Sequence, residues 1–173
     1  MTVAQPHGVV VWFTGLPSAG KSTLAEAVRR ELIRRGHSCV ALDGDEVRAA
    51  IVPPHGYSPE GRTAFYTTLA RLAALLCRQG HIVLVPATAH KLEYREIARE
   101  LAGSFLEVLV DTAFRECEQR DSKGLYHRAR SGQLEDFPGE AFEAPPAPDL
   151  VANGGHDLAG IARIVDRVMR VAS

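Results

Sequence analysis

Short apolar runs of β-prone residues alternate along the chain with longer segments whose apolar residues recur at helical spacing. The apolar runs predict strands near residues 8–14, 38–42, 81–87, 105–110 and 150–151. The longer segments predict helices near residues 21–35, 62–79, 92–102, 113–120 and 158–171. Strands that alternate with helices in this way form a parallel sheet covered by helices on both faces. We therefore predict an α/β fold with three layers built around a five-stranded parallel sheet.

Two segments rich in glycine and proline interrupt this alternation, at residues 53–61 and 121–148. The second is long for a plain connection within a compact domain, and long loops of this kind often close over active sites. We expect residues 121 to about 143 to form such a lid, and we call them the lid segment.

Length and composition narrow the class of protein. A chain of 173 residues with 46 % apolar and 24 % charged residues predicts a single globular domain over residues 1–173. A formal net charge of −1 provides no basic field for a nucleic-acid polymer or an anionic membrane. The three cysteines show neither a disulfide pattern nor zinc-ligand spacing. Because the chain shows no signal peptide and no apolar run long enough to span a membrane, we expect a cytoplasmic protein that acts on small molecules.

A phosphate-binding loop follows the first predicted strand. Residues 15–23 read GLPSAGKST, with an apolar run before them and an amphipathic helix after them. Gly15 and Gly20 allow backbone N–H groups to point at phosphate oxygens, Lys21 reaches the β- and γ-phosphates, and the Ser22 hydroxyl can bind Mg²⁺. The alternative is a glycine-rich turn that matches this pattern by accident, which the strand and helix on either side disfavour. We predict a nucleoside triphosphate site here.

A second polar cluster, Asp43, Asp45 and Arg48, follows the second predicted strand. Ligands of open α/β sheets lie beyond the carboxyl ends of the strands, so these residues should lie beside the phosphate loop. A carboxylate there can orient Mg²⁺ or accept a proton from an attacking hydroxyl, and an arginine suits phosphate or sulfate. Alternatively, Asp45 caps the following helix and Arg48 forms a surface ion pair.

Cations are concentrated at residues 115–130, where the lid segment begins. Phosphoryl transfer spreads negative charge over the transferring oxygens, and cations that close over them would stabilise that charge. The alternative is a solvated charged face.

Several motifs besides the phosphate loop extend over nearly the whole chain. The full set is GLPSAGKST at 15–23, LDGDEVR at 42–48, GYS at 56–58, EVLVDT at 107–112, CEQRDSKGLYHRARSGQLEDF at 117–137 and FEAP at 142–145. In this combination the chain resembles the adenylylsulfate (APS) kinases of sulfate assimilation, which transfer the γ-phosphate of ATP to the 3′-hydroxyl of APS. The resemblance implies a P-loop nucleoside-triphosphate-hydrolase-like fold, ATP and Mg²⁺ as cofactors, and a homodimer as a plausible assembly.

The resemblance also implies roles for individual residues. Lys21 and Asp45 would be catalytic, with Asp45 in the position of the family's proposed base, and Ser22 would bind Mg²⁺. The ATP-binding set is Gly15, Ser18, Ala19, Gly20, Lys21, Ser22, Thr23 and Arg120. The acceptor-binding set is Asp43, Arg48, Tyr57, Arg62, Lys123 and Phe137. Tyr57 and Phe137 match the two aromatic residues that sandwich the adenine of the acceptor in the family.

The chain departs from the family pattern on the acceptor side. Where the family has Asp-Arg-x-x-Asn-Ile-Arg-Arg, residues 61–68 read GRTAFYTT, so that Phe65 replaces an asparagine that contacts APS. The family's Ile-Ser-Pro-Phe/Tyr-Arg becomes TAHKL at residues 88–92, where His90 and Lys91 are candidate replacement donors. One lost hydrogen bond to a charged group costs about 1.5–3 kcal/mol, so several uncompensated losses would change acceptor recognition.

Two alternatives to an APS kinase therefore stay open on the sequence. The first is a kinase of the same type that phosphorylates a different nucleotide-linked or small anionic acceptor. The second is a non-catalytic nucleotide-binding domain, although the retained Lys21, Ser22, Asp45 and Arg48 argue against it.

Overall fold

The computed structural model describes residues 8–134 and 137–172. In order along this part of the chain, the elements are β1 (Val9–Thr14), α1 (Lys21–Arg34), β2 (Cys39–Ala41), α2 (Gly44–Ala50), α3 (Pro59–Arg78), β3 (Ile82–Pro86), α4 (Leu92–Ala102), β4 (Phe105–Val110), α5 (Phe114–Arg120), α6 (Leu125–Arg130), β5 (Leu150–Ala152) and α7 (Leu158–Val171). Within these residues, no helix is both long enough and apolar enough to cross a membrane.

The five strands form one parallel sheet in the order β2-β3-β1-β4-β5. Strand β1 lies in the centre, with Val10 opposite Val83 of β3 and Phe105 of β4. All six residues of β1 are buried, as its continuous apolar sequence predicts for a strand covered on both faces. The predicted five-stranded parallel α/β fold is confirmed.

Alternate residues of β1 face two separate cores, because successive side chains of a strand point to opposite sides of the sheet. Val11 and Phe13 pack in one core with apolar residues of α1 and α7. Val10 and Trp12 pack in the other with apolar residues of α3 and α4. Helices thus cover the sheet on both faces, which gives the three predicted layers.

Three helical features differ from the sequence prediction. Helix α2 has no fully buried residue, so its sequence shows no clear helical repeat of apolar positions. The sequence indicates it only as the helix that Asp45 would cap. Helix α6 has six residues and lies between two glycines of positive φ, Gly124 and Gly132, within a segment whose glycines and prolines predict a loop. Helix α3 begins at Pro59, before the predicted residue 62, because Ser58 caps it and proline suits the first helical turn.

Candidate active site

The phosphate-binding loop joins β1 to α1 and requires glycine at two positions. Gly15 has a φ of 152°, and a Cβ there would lie 2.6 Å from the carbonyl oxygen of Val110. Gly20 has a left-handed backbone (φ 98°) and forms the N-cap of α1. The hydroxyl of Thr112, beyond the end of β4, donates to the carbonyl of Ala19 at 2.8 Å and secures the loop. The neighbouring strand β4 thus helps to shape the loop.

Lys21 curls back over the loop that precedes it. Its Nζ donates to the carbonyl oxygens of Gly15 at 3.2 Å and Leu16 at 2.8 Å. Burial, together with the positive charge of Lys123, lowers the pKa of Lys21 from 10.5 to about 8. The ammonium group is therefore held at the mouth of the loop, in surroundings that favour an anionic partner.

Ser22 and Asp43 form an oxygen-rich pair beside Lys21. The Ser22 hydroxyl donates to Oδ2 of Asp43 at 2.6 Å, and Oδ1 of Asp43 accepts from the backbone N–H of Asp45 at 2.9 Å. Asp43, not Asp45, is therefore the N-cap of α2, which corrects the alternative role considered for Asp45. A hydroxyl and a carboxylate in contact are suitable ligands for Mg²⁺, which prefers oxygen.

The side chain of Asp45 does not cap α2 and instead faces the lid segment. Its carboxylate forms an ion pair with Lys123, and both side chains are exposed. The lid residue predicted to bind the acceptor thus contacts the predicted catalytic carboxylate.

The first part of the lid segment lies directly over the phosphate loop. The hydroxyls of Ser18 and Ser122 are 3.2 Å apart, and Tyr126 donates from its hydroxyl to the carbonyl of Pro17 at 2.9 Å. Immediately before the lid segment, Arg120 donates to the carbonyl of Ser18 at 3.4 Å. These contacts bring residues 120–126 to the nucleotide side of the site, whereas lid movement stays a prediction.

Arg48 lies on the other side of the site, among aromatic rings. Its Nη1 donates to the carbonyls of His55 at 3.1 Å and Gly56 at 3.2 Å. Its guanidinium carbon lies 3.7 Å from the ring centre of Phe65 and 4.6 Å from that of Tyr57. The surface ion pair considered as its alternative role is not formed among the described residues.

One cavity of about 860 Å³ joins these two sides. The predicted site residues that line it are Ser18, Gly20, Lys21, Ser22, Thr23, Asp45, Arg48, Tyr57, Arg62, Arg120 and Lys123. Gly15, Ala19 and Asp43 are not part of this lining. Gly15 and Ala19 shape the phosphate loop, and Asp43 caps α2. Arg62 is buried and donates from Nε to the carbonyl of Tyr57 at 2.9 Å.

Phe137 lies apart from the cavity, unlike the prediction that pairs it with Tyr57. Its ring is buried and packs edge-to-face on Tyr126, with the ring centres 4.8 Å apart. Burial of an aromatic ring in the core beside α1 and α7 explains this position. Leu134 and Pro138 line the cavity in its place, and residues 135–136 of the lid segment lie outside the described residues.

His90 and Lys91, the candidate replacement donors, do not line the cavity. His90 is buried and packs edge-to-face on Tyr94, while Lys91 pairs with Glu93 at 3.5 Å. From this stretch Thr88 lines the cavity instead.

Sequence reasoning missed several residues that line the cavity. They are Phe65 and Tyr66 of α3, Arg128 of α6, and Gly155 and His156 beyond β5. Gly155 packs tightly on the phosphate loop, since a Cβ there would lie 2.9 Å from the Gly20 carbonyl oxygen. The sequence signal for this close approach was the pair Gly154 and Gly155, which follows the end of β5 after one residue.

Comparisons with known proteins agree with this geometry. Residues 7–153 match the model of one family, adenylylsulphate kinase. The chain is 44 % identical over 152 residues to the adenylyl-sulfate kinase of Paraburkholderia xenovorans (strain LB400), which covers 86 % of this chain and 85 % of that protein. It is 39 % identical to the adenylyl-sulfate kinase of Picosynechococcus sp. (strain ATCC 27264 / PCC 7002 / PR-6), with 96 % and 94 % covered.

A solved structure with the same architecture is that of the Mycobacterium tuberculosis APS kinase CysC in complex with AMPPNP and APS. It superposes with a TM-score of 0.82 at 37 % identity, over 96 % of this chain and 98 % of that one.

Proposed function

The chain belongs to the adenylylsulfate kinase family, and on that premise we propose that it transfers the γ-phosphate of ATP to the 3′-hydroxyl of APS to form 3′-phosphoadenylylsulfate. The observation that carries this proposal is the single cavity in which the phosphate loop, Asp45 and Arg48 meet. A donor site and an acceptor site that share one cavity suit direct transfer between two bound substrates.

The donor half of the cavity would bind the triphosphate of ATP. The backbone of the phosphate loop and the positive end of α1 favour the phosphates, and Lys21 neutralises charge on the transferring group. Ser22 and Asp43 would hold Mg²⁺, which supplies charge neutralisation at the phosphate oxygens when bound. Arg120 and His156 lie on the same side of the cavity and would face the nucleotide.

The acceptor half would bring a hydroxyl towards the γ-phosphorus. The acceptor oxygen forms a bond to that phosphorus, the bond to the oxygen that bridges the β- and γ-phosphates breaks, and ADP leaves. Asp45 accepts the hydroxyl proton, which requires its carboxylate to exchange Lys123 for the acceptor. Lys123 then becomes available to the transferring phosphoryl group. The ion pair would thus keep base and cation close together until substrates separate them.

A coupled assay of ADP release with the purified protein, ATP, Mg²⁺ and APS tests the proposal. We expect ADP and 3′-phosphoadenylylsulfate in equal amounts, with the product identified by chromatography and ³¹P NMR. Bound ATP without ADP release that depends on APS would contradict the proposal for this acceptor.

A second candidate acceptor class follows from the lining of the acceptor half. Phe65, Tyr66 and Thr88 line it where the family pattern carries other residues, and His90 and Lys91 do not reach it. A kinase for another nucleotide-linked or small anionic hydroxyl compound would fit this lining. The same assay, run with nucleoside diphosphate derivatives and small sulfated metabolites, separates the two functions. The retained kinase machinery and the kinase relatives argue against a non-catalytic domain.

A further inference from the structure

We propose that Phe65 is a positioning residue that holds the guanidinium of Arg48 in place for the acceptor, an inference that rests on the proposed kinase function. Phe65 occupies one of the positions at which the chain departs from the family pattern, and its ring faces Arg48. The replacement of the family's asparagine by Phe65 would then remove one contact to the acceptor but fix another binding group, the guanidinium of Arg48.

The first support is the stacking of Arg48 on two rings. The guanidinium carbon lies 3.7 Å from the ring centre of Phe65, closer than to that of Tyr57 at 4.6 Å. Phe65 is only 2 % exposed, whereas Tyr57 is 67 % exposed. The buried ring is thus the fixed partner and the exposed ring the adaptable one. A cation over an aromatic face is attracted by the ring quadrupole, and more strongly where water is excluded.

The second support is the way Arg48 uses its hydrogen-bond donors. In residues 8–134 and 137–172, both of its hydrogen bonds come from Nη1, to the carbonyls of His55 and Gly56. Its Nε and Nη2 stay available, and a guanidinium offers such donors as a planar fork that matches an oxyanion. Stacking fixes the plane of the fork, and the two carbonyls fix its rotation within that plane.

The third support is the close packing of residues 55–57 on the start of α3. A Cβ on Gly61 would lie 2.6 Å from the carbonyl oxygen of Gly56, so glycine permits this approach. Arg62 secures the same turn by donating to the carbonyl of Tyr57 at 2.9 Å. Gly61 and Phe65 both differ from the family pattern. Gly61 permits the close packing of residues 55–57, of which the first two bind Arg48 through their carbonyls, and Phe65 provides the ring on which Arg48 stacks.

The alternative is that Phe65 only fills the core that it shares with Leu69. The two roles make different demands on residue 65. Positioning Arg48 requires an aromatic face, whereas filling the core requires only apolar volume. Phe65→Leu keeps a large apolar side chain without the face, and Phe65→Tyr keeps the face. Leu69→Val perturbs the same core without touching Arg48 and serves as the matched control.

Steady-state kinetics with APS and ATP test the positioning role. We expect Phe65→Leu to raise the KM for APS about tenfold with the KM for ATP unchanged, whereas Phe65→Tyr and Leu69→Val leave the KM for APS within about twofold of the wild type. In an Arg48→Ala background, Phe65→Leu should have no further effect, because its effect acts through Arg48. Additive effects of the two substitutions, or equal changes in both KM values, would overturn the proposal.

An NMR measurement that needs no substrate separates failure of this inference from failure of the proposed function. The ring of Phe65 should shift the side-chain Nε–H signal of Arg48, and this shift should disappear in Phe65→Leu and persist in Phe65→Tyr. An unchanged signal in Phe65→Leu would overturn the positioning role, whichever acceptor the enzyme uses. Absence of turnover with APS in the wild type would contradict the proposed acceptor alone.

Discussion

Lys123 of the lid segment and Asp45 at the start of α2 form an ion pair across 78 positions of the chain. In the reaction that we propose, the pair joins two groups with opposite tasks: the carboxylate accepts a proton, and the cation stabilises the transferring oxygens. Both side chains are exposed, so the pair contributes little to the stability of the fold and opens readily.

Removal of the carboxylate of Asp45 should abolish most of the activity without disturbing nucleotide binding. We expect Asp45→Asn to lower kcat by about 10²- to 10⁴-fold, the usual contribution of a general base, with little change in the dissociation constant of ATP. Single-turnover kinetics and calorimetry measure the two quantities. Glu46→Gln is the matched control, because Glu46 is exposed and adjacent but does not line the cavity. Equal losses in both variants would contradict the role of Asp45.

Substitution of Lys123 should affect catalysis far more than stability. We expect Lys123→Ala to change Tm by no more than about 2 °C, because its ion pair is exposed, and to lower kcat at least tenfold. Lys91→Ala removes a comparable pair with Glu93 outside the cavity and should leave kcat unchanged. A large fall in Tm for Lys123→Ala alone would show that the pair is mainly structural.

The lid segment should gain protection when nucleotide binds. Hydrogen exchange of amides in residues 121–134, measured with and without a non-hydrolysable ATP analogue, reports this closure. We expect slower exchange in the complex, with residues 82–86 of the buried β3 as an internal reference. Equal protection of the lid segment in both states would contradict closure.

Nucleotide binding should depend on pH through Lys21. Its pKa of about 8 lies below the ordinary value of 10.5, so the free protein loses this proton as the pH rises through 8. Phosphates favour the charged form and raise the pKa again. Binding should therefore take up close to one proton at pH 9 and few at pH 7, and affinity should fall above about pH 8.

Calorimetry of ATP binding in buffers of different ionisation enthalpy measures this proton uptake. Lys21→Ala should fold normally, bind ATP weakly and lose the uptake, which assigns the proton to this residue. Uptake that persists in Lys21→Ala would assign it to another group.

A methyl group at Gly15 should damage the phosphate loop by collision with the backbone. At Gly15 a Cβ meets the Val110 carbonyl oxygen at 2.6 Å, whereas at Gly36 it meets nothing within 4 Å. Both glycines have positive φ, so Gly36→Ala controls for backbone strain. We expect Gly15→Ala to cost about 1–3 kcal/mol more than Gly36→Ala in the free energy of unfolding, measured by chemical denaturation.

The sheet and its large helices could be predicted because burial leaves a pattern in the sequence. The run of β1 is apolar throughout, and α7 repeats apolar residues at helical spacing. The apolar pattern did not predict α2, which is short and has no fully buried residue, or α6, which is short and lies between glycines. A local hydrogen bond to Asp43 begins α2, whereas α6 combines backbone hydrogen bonds to Asp121 with the packing of Tyr126 in the core.

The donor half of the site could be predicted better than the acceptor half. Phosphate contacts come from backbone and from neighbours in the chain, so residues 15–23 carry most of the information. The stacking of Arg48 on Phe65 joins two helices and has no local signature. The sequence could not exclude His90 as a donor for a related reason, since its position two residues after Thr88 does not reveal that its ring lies buried against Tyr94.

Asp43 gives each of its carboxylate oxygens a different partner, Ser22 on the donor side and the start of α2 on the acceptor side. Helix α2 has no fully buried residue, so this cap helps to set the direction in which the start of the helix presents Asp45. A ligand that competes with Ser22 for Oδ2 of Asp43 would act on the same carboxylate that caps α2. One carboxylate therefore connects the two halves of the cavity through its two oxygens.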